Sequence, residues 1–186
     1  MSIEPSSIRI ITLSASALAQ HLDALAALLH ACVVDGASIG FVMPYTPEQA
    51  GAYWRDKVSP GVQHGGVTML LALQGDALIG TVQLDHDTPA NQAHRAEVRK
   101  LLVHPLARRQ GVGRLLMQAI EPHAVRLGRS LLTLDTRTGD NGEPLYRSLG
   151  YQVAGMIPRY CRDTYETRLD ATTIMYKDVV APVQRA

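Results

Sequence analysis

Three features of the sequence predict a mixed α/β fold of about seven strands and four helices. Short apolar runs suited to strands alternate along the chain with stripes of helical period. Two such runs, residues 67–73 and 77–84, flank Gln74-Gly75-Asp76 and read as a hairpin. One stretch, residues 97–114, reads as a strand, a tight basic turn and the start of a helix. The expected order is β-α-α-β-β-β-α-β-α-β-β.

Taken in order, Ile8, Ile10 and Leu13 mark the first strand. Ser14 or Ser16 is placed to cap the helix after it. Leu18, Leu22, Leu25, Leu29 and Cys32 recur at helical spacing as that helix's apolar stripe, with Cys32 as a core thiol. Residues 35–45 mix Gly36, Ala37, Ser38 and Gly40 with Phe41 and Tyr45 and have no clean period. They form either a lid over a pocket or a plain connector. Thr46-Pro47-Glu48-Gln49 starts the second helix: a capping threonine, a proline at the first helical position and a glutamine three residues on. This helix carries Tyr53, Trp54 and Val58 and is expected to end near Ser59-Pro60-Gly61. After the hairpin, Asp85-His86-Asp87 opens a polar exit. Three consecutive side chains do not converge, and no His-Glu-x-x-His is present, so no metal site is expected.

Leu101, Leu102 and Val103 supply a buried strand, and Pro105 ends it. Gly111 and Gly113 open the third helix, whose apolar positions are Val112, Leu115, Leu116, Ala119 and Ile120. Pro122 kinks or restarts that helix, and Gly128 stops it. Leu131, Leu132, Thr133 and Leu134 are a buried strand, followed by a polar stretch from Asp135 to Asn141. Residues 142–150 form a short helix ended by glycine. Tyr151, Val153 and Ala154 begin another strand; a loop with Tyr160, Cys161, Arg162, Asp163 and Tyr165 follows; residues 172–176 are the last strand.

A chain of 186 residues fits one domain with a sizeable core, placed at 7–180, with 1–6 and 181–186 as loose ends. Eighteen basic residues balance 17 acidic ones, which argues against a nucleic-acid or membrane-surface partner. Apolar runs are too short to span a bilayer, and the N-terminal residues, with Glu4 among them, do not read as a signal peptide. Cys32 and Cys161 stand far apart without a Cys-x-x-Cys, as suits a reducing compartment. A cytoplasmic protein is expected.

The chemistry begins at the stretch 97–114. The first N–H groups of a helix lack intrahelical acceptors, and its dipole favours negative charge there. Glycines let a backbone approach a phosphate closely. A phosphate-bearing ligand is therefore expected at Arg109, Gln110, Gly111, Val112, Gly113 and Arg114. Gly111-Val112-Gly113-Arg114-Leu115-Leu116 fails the dinucleotide fingerprint, which wants glycine or alanine where Leu116 stands. No Gly-Lys-Ser/Thr is present, so a P-loop is excluded.

What remains, Arg108-x-x-Gly111-x-Gly113 preceded by Leu-Leu-Val, resembles the acetyl-CoA signature of the GCN5-related N-acetyltransferases (GNAT). A second element agrees: Leu145-Tyr146-Arg147-Ser148-Leu149-Gly150-Tyr151 resembles that family's Tyr-x-x-x-Gly-Phe/Tyr. The order of elements is similar to the GNAT fold from end to end. Ala96-Glu97-Val98-Arg99-Lys100-Leu101, Leu134-Asp135-Thr136, Pro158-Arg159-Tyr160-Cys161, and Gly36-Ala37-Ser38 before Phe41 resemble the tabtoxin-resistance type.

The resemblance implies a twisted, mostly antiparallel sheet splayed at strands 4 and 5, and acetyl-CoA as the cofactor. It implies direct acetyl transfer to the amine of a small molecule, of an amino-acid-like or peptide-like toxin or antibiotic kind, and it admits a homodimer. Backbone groups of Leu101, Leu102 and Val103 fall where the family holds pantetheine. Arg108 is either a charge clamp or a structural arginine. The family asparagine ahead of the general-acid tyrosine is replaced by Gly139, and Asn141, two residues on, is the expected cofactor contact there.

Glu97 matches a general-base position; it lies four residues before Leu101, so a regular strand points both to one face. Its alternative is a surface salt bridge with Arg95 or Arg99. Tyr146 matches the general acid and a contact to the cofactor; a phenol is protonated at neutral pH. Its alternative is a packed helix tyrosine. Phe41, Tyr45, Glu97, Asp135 and Tyr160 are expected at the acceptor, with Trp54, Arg162 and Tyr165 as further candidates and core packing as their alternative. A covalent route through Cys161 lacks an activating neighbour in sequence. Acetylation of a protein amine and a non-catalytic CoA-binding sensor are the competing readings. Nucleic-acid binding through Arg99, Lys100, Arg108, Arg109 and Arg114 is disfavoured by the near-neutral charge.

Overall fold

A seven-stranded sheet runs through residues 7–179, the part of the chain described by the structure, a computed structural model. The loose ends expected at 1–6 and 181–186 lie outside these residues. The elements are β1 (Ile8–Thr12), α1 (Leu18–Val34), α2 (Pro47–Ala52), α3 (Ser59–Gln63), β2 (Val67–Gln74) and β3 (Ala77–Asp85). There follow β4 (Arg95–Val103), α4 (Val112–Arg126), β5 (Leu131–Arg137), α5 (Gly142–Ser148), β6 (Gln152–Arg162) and β7 (Leu169–Asp178). The sheet order is β1-β2-β3-β4-β5-β7-β6. Every pair is antiparallel except β4–β5, which is parallel and spans only Arg95↔Leu131, Ala96↔Leu132 and Glu97↔Thr133. Beyond Glu97 and Thr133 the two central strands part.

Each face of the sheet has its own core. On the front face, α1 and α2 bury Leu25, Leu29 and Trp54 against Met69, Leu71 and Leu102. On the back face, α4 and α5 bury Leu116, Ile120 and Tyr146 against Ala96, Val98, Leu132 and Leu134. No helix among the described residues is long and apolar enough to cross a membrane.

Several local expectations are refined. Thr46 and Gln49 do form a reciprocal capping box, at 3.3 and 2.8 Å. The second helix, however, runs on past Ser59. A π-helical turn, Tyr53–Val58, joins α2 to α3, and Pro60, which has no N–H to give, stands in the first turn of α3 just after the Ser59 N–H has bonded back to Trp54. Ser14 accepts from the Ala17 N–H at 3.2 Å and so caps the turn before α1 rather than α1 itself. Pro122 lies inside an unbroken α4. Tyr160, Cys161 and Arg162 belong to strand β6, not to a loop: pairing with β7 resumes at Cys161 after a break at Pro158 and the left-handed Arg159 (φ 53°).

Candidate active site

The site is organised by a fault in β4. Gln83 of β3 pairs with Arg99, but Thr81 pairs with Leu102, so Lys100 and Leu101 together oppose Val82 alone. This is a β-bulge, with Lys100 in the left-handed region at φ 48°. The bulge corrects the same-face expectation for Glu97 and Leu101. Before it, Ala96 and Val98 face the back core, which turns Glu97 and Arg99 to the front; after it, Leu101 and Val103 face the back and Leu102 the front. Glu97 and Leu101 therefore lie on opposite faces of the sheet, at the point where β4 leaves β5.

On the front face Glu97 sits 3.8 Å from Arg99, whose guanidinium also holds Asp85 at 2.7 Å. Arg95 turns instead to Gln92 and Thr133. Lys100 projects to this face as well. Its ammonium donates to the Ile39 carbonyl at 2.6 Å and lies 5.5 and 5.6 Å from the ring centres of Phe41 and Tyr53. Burial, with Arg99 alongside, lowers its pKa. Phe41 packs on Tyr45 at 4.7 Å and edge-on to Tyr53 at 5.1 Å. Beneath them lies Gln83, 4% exposed, its Nε2 without a hydrogen-bond acceptor among the described residues.

Lys100, Tyr53 and Gln83 are the front-face groups that the sequence did not point to. Tyr45 belongs to the front core: it is buried beside His30 as well as Phe41, and burial pushes its phenol up to about 12. Trp54 is wholly buried below it, a core residue.

Residues 35–45 roof this face and are pinned to the turn between β6 and β7. Met43 N–H donates to the Thr164 carbonyl at 2.8 Å, the Thr164 hydroxyl to the Ala37 carbonyl at 3.1 Å, and the Tyr165 hydroxyl to the Val34 carbonyl. Cys161 meets the Ser38 hydroxyl at 3.6 Å, which is no base, so nothing at that contact would activate the thiol. Tyr160 is not brought to the site: it is 54% exposed on β6, with β5 and β7 between it and β4. Arg162 donates to the Glu166 carbonyl.

Replacing Lys100 with methionine is expected to preserve the fold and to loosen this roof. Amide hydrogen exchange at residues 37–43 should quicken severalfold, with about 1 kcal/mol of stability lost, as for one charge-assisted hydrogen bond net of desolvation. Unchanged exchange would mean that Thr164 and Tyr165 hold the roof without Lys100.

The back of the opening is formed by α5. Tyr146 is buried, its ring 5.9 Å from that of Tyr151 and under Gly142, where an added Cβ would stand 3.1 Å from the ring. Burial first, then the charges of Asp135 and Asp140, raise its pKa. Its hydroxyl makes no hydrogen bond among the described residues. Asp135, on β5, accepts from the Thr172 hydroxyl at 3.1 Å and lies within electrostatic reach of both Lys100 and Tyr146. Asn141 stands at the N-cap of α5 with no capping bond from its side chain. Gly139 adopts φ 78°, a backbone that disfavours a side chain there.

The basic turn ends at the same opening. Arg109 (φ 63°) and Gly111 (φ 82°) are both left-handed and Gly111 caps α4 without a side-chain bond, so this turn, the nest, leads into a helix start whose first N–H groups meet no capping side chain. Arg109 makes no ion pair among the described residues. Gln110 folds back on the Leu106 carbonyl at 3.2 Å, and Arg114 donates to Ser148 of α5 at 2.8 Å. Gly113 lets α4 meet α5: an added Cβ would stand 3.2 Å from the Leu145 side chain. Arg108 points away from the nest. It holds Asp35 at the end of α1 and reaches the Val103 carbonyl at 3.4 Å, which also accepts from the Cys32 thiol at 3.5 Å. At the exit of β3, Asp85, His86 and Asp87 diverge to Arg99, Thr68 and His64.

A model described as the acetyltransferase (GNAT) family matches residues 37–151. Among solved structures, an N-acetyltransferase from Staphylococcus aureus Mu50 superposes with a TM-score of 0.76 at 15% identity, covering 94% of this chain and 100% of that one. The Salmonella typhimurium protein yncA, solved with its cofactor acetyl-CoA, gives 0.74 at 16% identity, covering 96% and 98%. A ribosomal-protein-alanine N-acetyltransferase from Brucella melitensis gives 0.71 at 19% identity, covering 91% and 99%. At such identities the superpositions establish the fold.

Proposed function

The chain belongs to the acetyltransferase (GNAT) family, and on that premise we propose that it moves an acetyl group from acetyl-CoA directly to the amine of a small molecule. The observation that carries this reading is the parting of β4 from β5 after Glu97 and Thr133. It leaves one opening between a carboxylate on the front face and a buried phenol on the back.

The residues present fit acetyl-CoA. The nest at Arg109 to Arg114 suits a diphosphate, and the backbone of Leu101, Leu102 and Val103, freed from β5, offers donors and acceptors to an amide-bearing arm. When bound, the cofactor supplies an acetyl group activated as a thioester. Glu97 takes the proton of the incoming ammonium, directly or through water, so that a neutral amine attacks. Tyr146 gives its proton to the departing thiolate and remains a donor because its pKa is raised. Phe41 and Tyr53 provide a rigid aromatic wall for the acceptor, and Asp135 attracts its positive charge.

An acceptor of the amino-acid-like or peptide-like toxin kind, as in the tabtoxin-resistance type, suits a roofed face of this size. The two cysteines, both free, suit the cytoplasm.

The test is free-thiol release from acetyl-CoA across amino acids, toxins, aminoglycosides, polyamines and peptides, alongside thermal unfolding. Acetyl-CoA at about 100 times its Kd should stabilise by about 2.7 kcal/mol, or roughly 5–10 °C for a domain of this length. At least one small amine should be turned over. No thermal shift would overturn the cofactor assignment. A shift without turnover would mark a sensor, and turnover of peptides alone a protein acetyltransferase.

A further inference from the structure

The front face of the sheet carries hydrogen-bond donors that the fold does not use. Gln83 is the first. Its neighbours on β3, Val82 and Leu84, belong to the back core, so its amide stands on the front. The Tyr53 phenol is near enough to feel this amide. Yet Gln83 is 4% exposed, and its Nε2 has no acceptor among the described residues. A buried donor left unpaired destabilises the fold, and an apolar side chain of similar size would avoid that cost.

Lys100 is the second. Its ammonium has three N–H groups. The structure gives it one acceptor, the Ile39 carbonyl at 2.6 Å, and two rings, Phe41 and Tyr53. Glu97 and Asp135 act on it electrostatically, but no carboxylate reaches ion-pair distance of it among the described residues. Arg99, the cation beside it, differs: Asp85 holds it at 2.7 Å and Glu97 at 3.8 Å. The bulge brings the two donors together. Gln83 pairs with Arg99 across the β3–β4 ladder, and in a regular strand the residue after Arg99 would face the back. At φ 48° Lys100 turns to the front instead, to the same ring that adjoins Gln83. A half-buried cation without a counterion and a buried amide without an acceptor thus flank Tyr53. Both lack an oxygen, and the cation lacks a negative one.

We propose that Gln83 and Lys100 are specificity residues that bind the carboxylate of the acceptor, so that the acceptor is a zwitterion held by its carboxylate while its amine meets Glu97. The proposal rests on the acetyl-transfer reading given above. It divides the acceptor's charges as the site divides its own. Glu97 and Asp135 attract the ammonium end, and a carboxylate accepts from an ammonium and an amide N–H together. An acceptor without an anionic group would leave Gln83 unpaired and set its own positive charge against Lys100.

The test sets each common L-amino acid, and a set of dipeptides, beside its C-terminal amide. Thiol release gives kcat/KM, and calorimetric titration with free CoA present gives binding, for the full chain, Gln83→Leu and Lys100→Met. In the wild type the acid should be preferred to its amide by roughly 10- to 100-fold, as for a charge-assisted hydrogen bond made in a buried site. In both variants that ratio should fall towards one. Without ligand, the thermal midpoint of Gln83→Leu should be no lower than that of the wild type, since leucine replaces an unpaired amide. A midpoint that falls by several degrees makes Gln83 structural and overturns its part. A wild type that treats acid and amide alike overturns the proposal and leaves acetyl transfer standing. Acids that bind with the expected preference and are not turned over overturn the transfer reading and leave the carboxylate site. Failure of every probe to bind overturns the site. So does a Gln83→Leu variant that loses the acetyl-CoA thermal shift but keeps the ratio, because the amide then serves the cofactor.

Discussion

Replacing Tyr146 with phenylalanine is expected to lower turnover by roughly 10²- to 10⁴-fold, the range for loss of a positioned general acid, and to leave the acetyl-CoA-induced thermal shift within about 1 °C of the wild type. The ring should not move. It is held by Tyr151 and by Gly142, and the phenylalanine keeps both contacts. Stability should change by less than about 1 kcal/mol, because the hydroxyl has no hydrogen-bond partner to lose among the described residues. The pH dependence follows from the direction of the shift. A raised phenol pKa keeps the proton on Tyr146 further into the alkaline range, so the donor form is retained where an ordinary tyrosine begins to lose it near pH 10. The ratio of wild-type to variant turnover should therefore stay flat from pH 7 to 9. A variant within twofold of the wild type in kcat, on the best acceptor of the panel, removes Tyr146 from the proton path. A variant that also loses the acetyl-CoA shift makes Tyr146 a cofactor contact instead.

Features set by local chemistry were legible in the sequence. The capping box at Thr46 and Gln49, the hairpin at Gly75, and the glycine stops at Gly128 and Gly150 each need only a few neighbouring residues, and each stands where its residue types place it. The parting of β4 from β5 was expected from the family resemblance alone, and the short parallel pairing of the two strands agrees with it. What escaped was register. The bulge at Lys100 is decided by how β4 meets β3, and a lysine gives no sign that it will adopt φ 48°. Its strain is offset by tertiary contacts to Ile39, Phe41 and Tyr53, which lie 47–61 residues away in the chain. A period-two count from Glu97 to Leu101 therefore assigned both residues to one face.

Arg108 shows the same limit from another side. A basic residue in a phosphate-binding signature suggests a charge clamp, but Asp35 captures it from the end of α1. Tyr160 read as a loop residue; pairing of β6 with β7, which resumes at Cys161, carries it to the edge strand of the sheet.

Trp54→Ala should have the largest effect on stability, a loss of about 3–5 kcal/mol, seen as a fall in thermal midpoint of roughly 10 °C at 2–4 °C per kcal/mol. Trp54 is the largest side chain that is fully buried. Its indole N–H donates to the Leu25 carbonyl of α1 at 2.8 Å, and its own carbonyl accepts from the Ser59 hydroxyl at 2.8 Å, across the π-helical turn. Truncation opens a cavity between α1 and α2 and leaves the Leu25 carbonyl without that donor. The damage should reach the site through one neighbour. Tyr53 packs edge-on against the indole at 5.3 Å and carries the contacts to Phe41 and Lys100. KM for the acceptor should therefore rise severalfold at a temperature where the variant is still folded, while the acetyl-CoA thermal shift persists, since the anion nest is built on β4 and α4. Trp54→Phe separates the two causes. It keeps most of the volume and loses the N–H, so it should lose only about 1–2 kcal/mol. Equal losses from the two variants would place the stabilisation in the hydrogen bond rather than in packing. A loss below about 1 kcal/mol for the alanine variant would mean that α1 and α2 close over the gap, and that the front wall of the site does not depend on this indole.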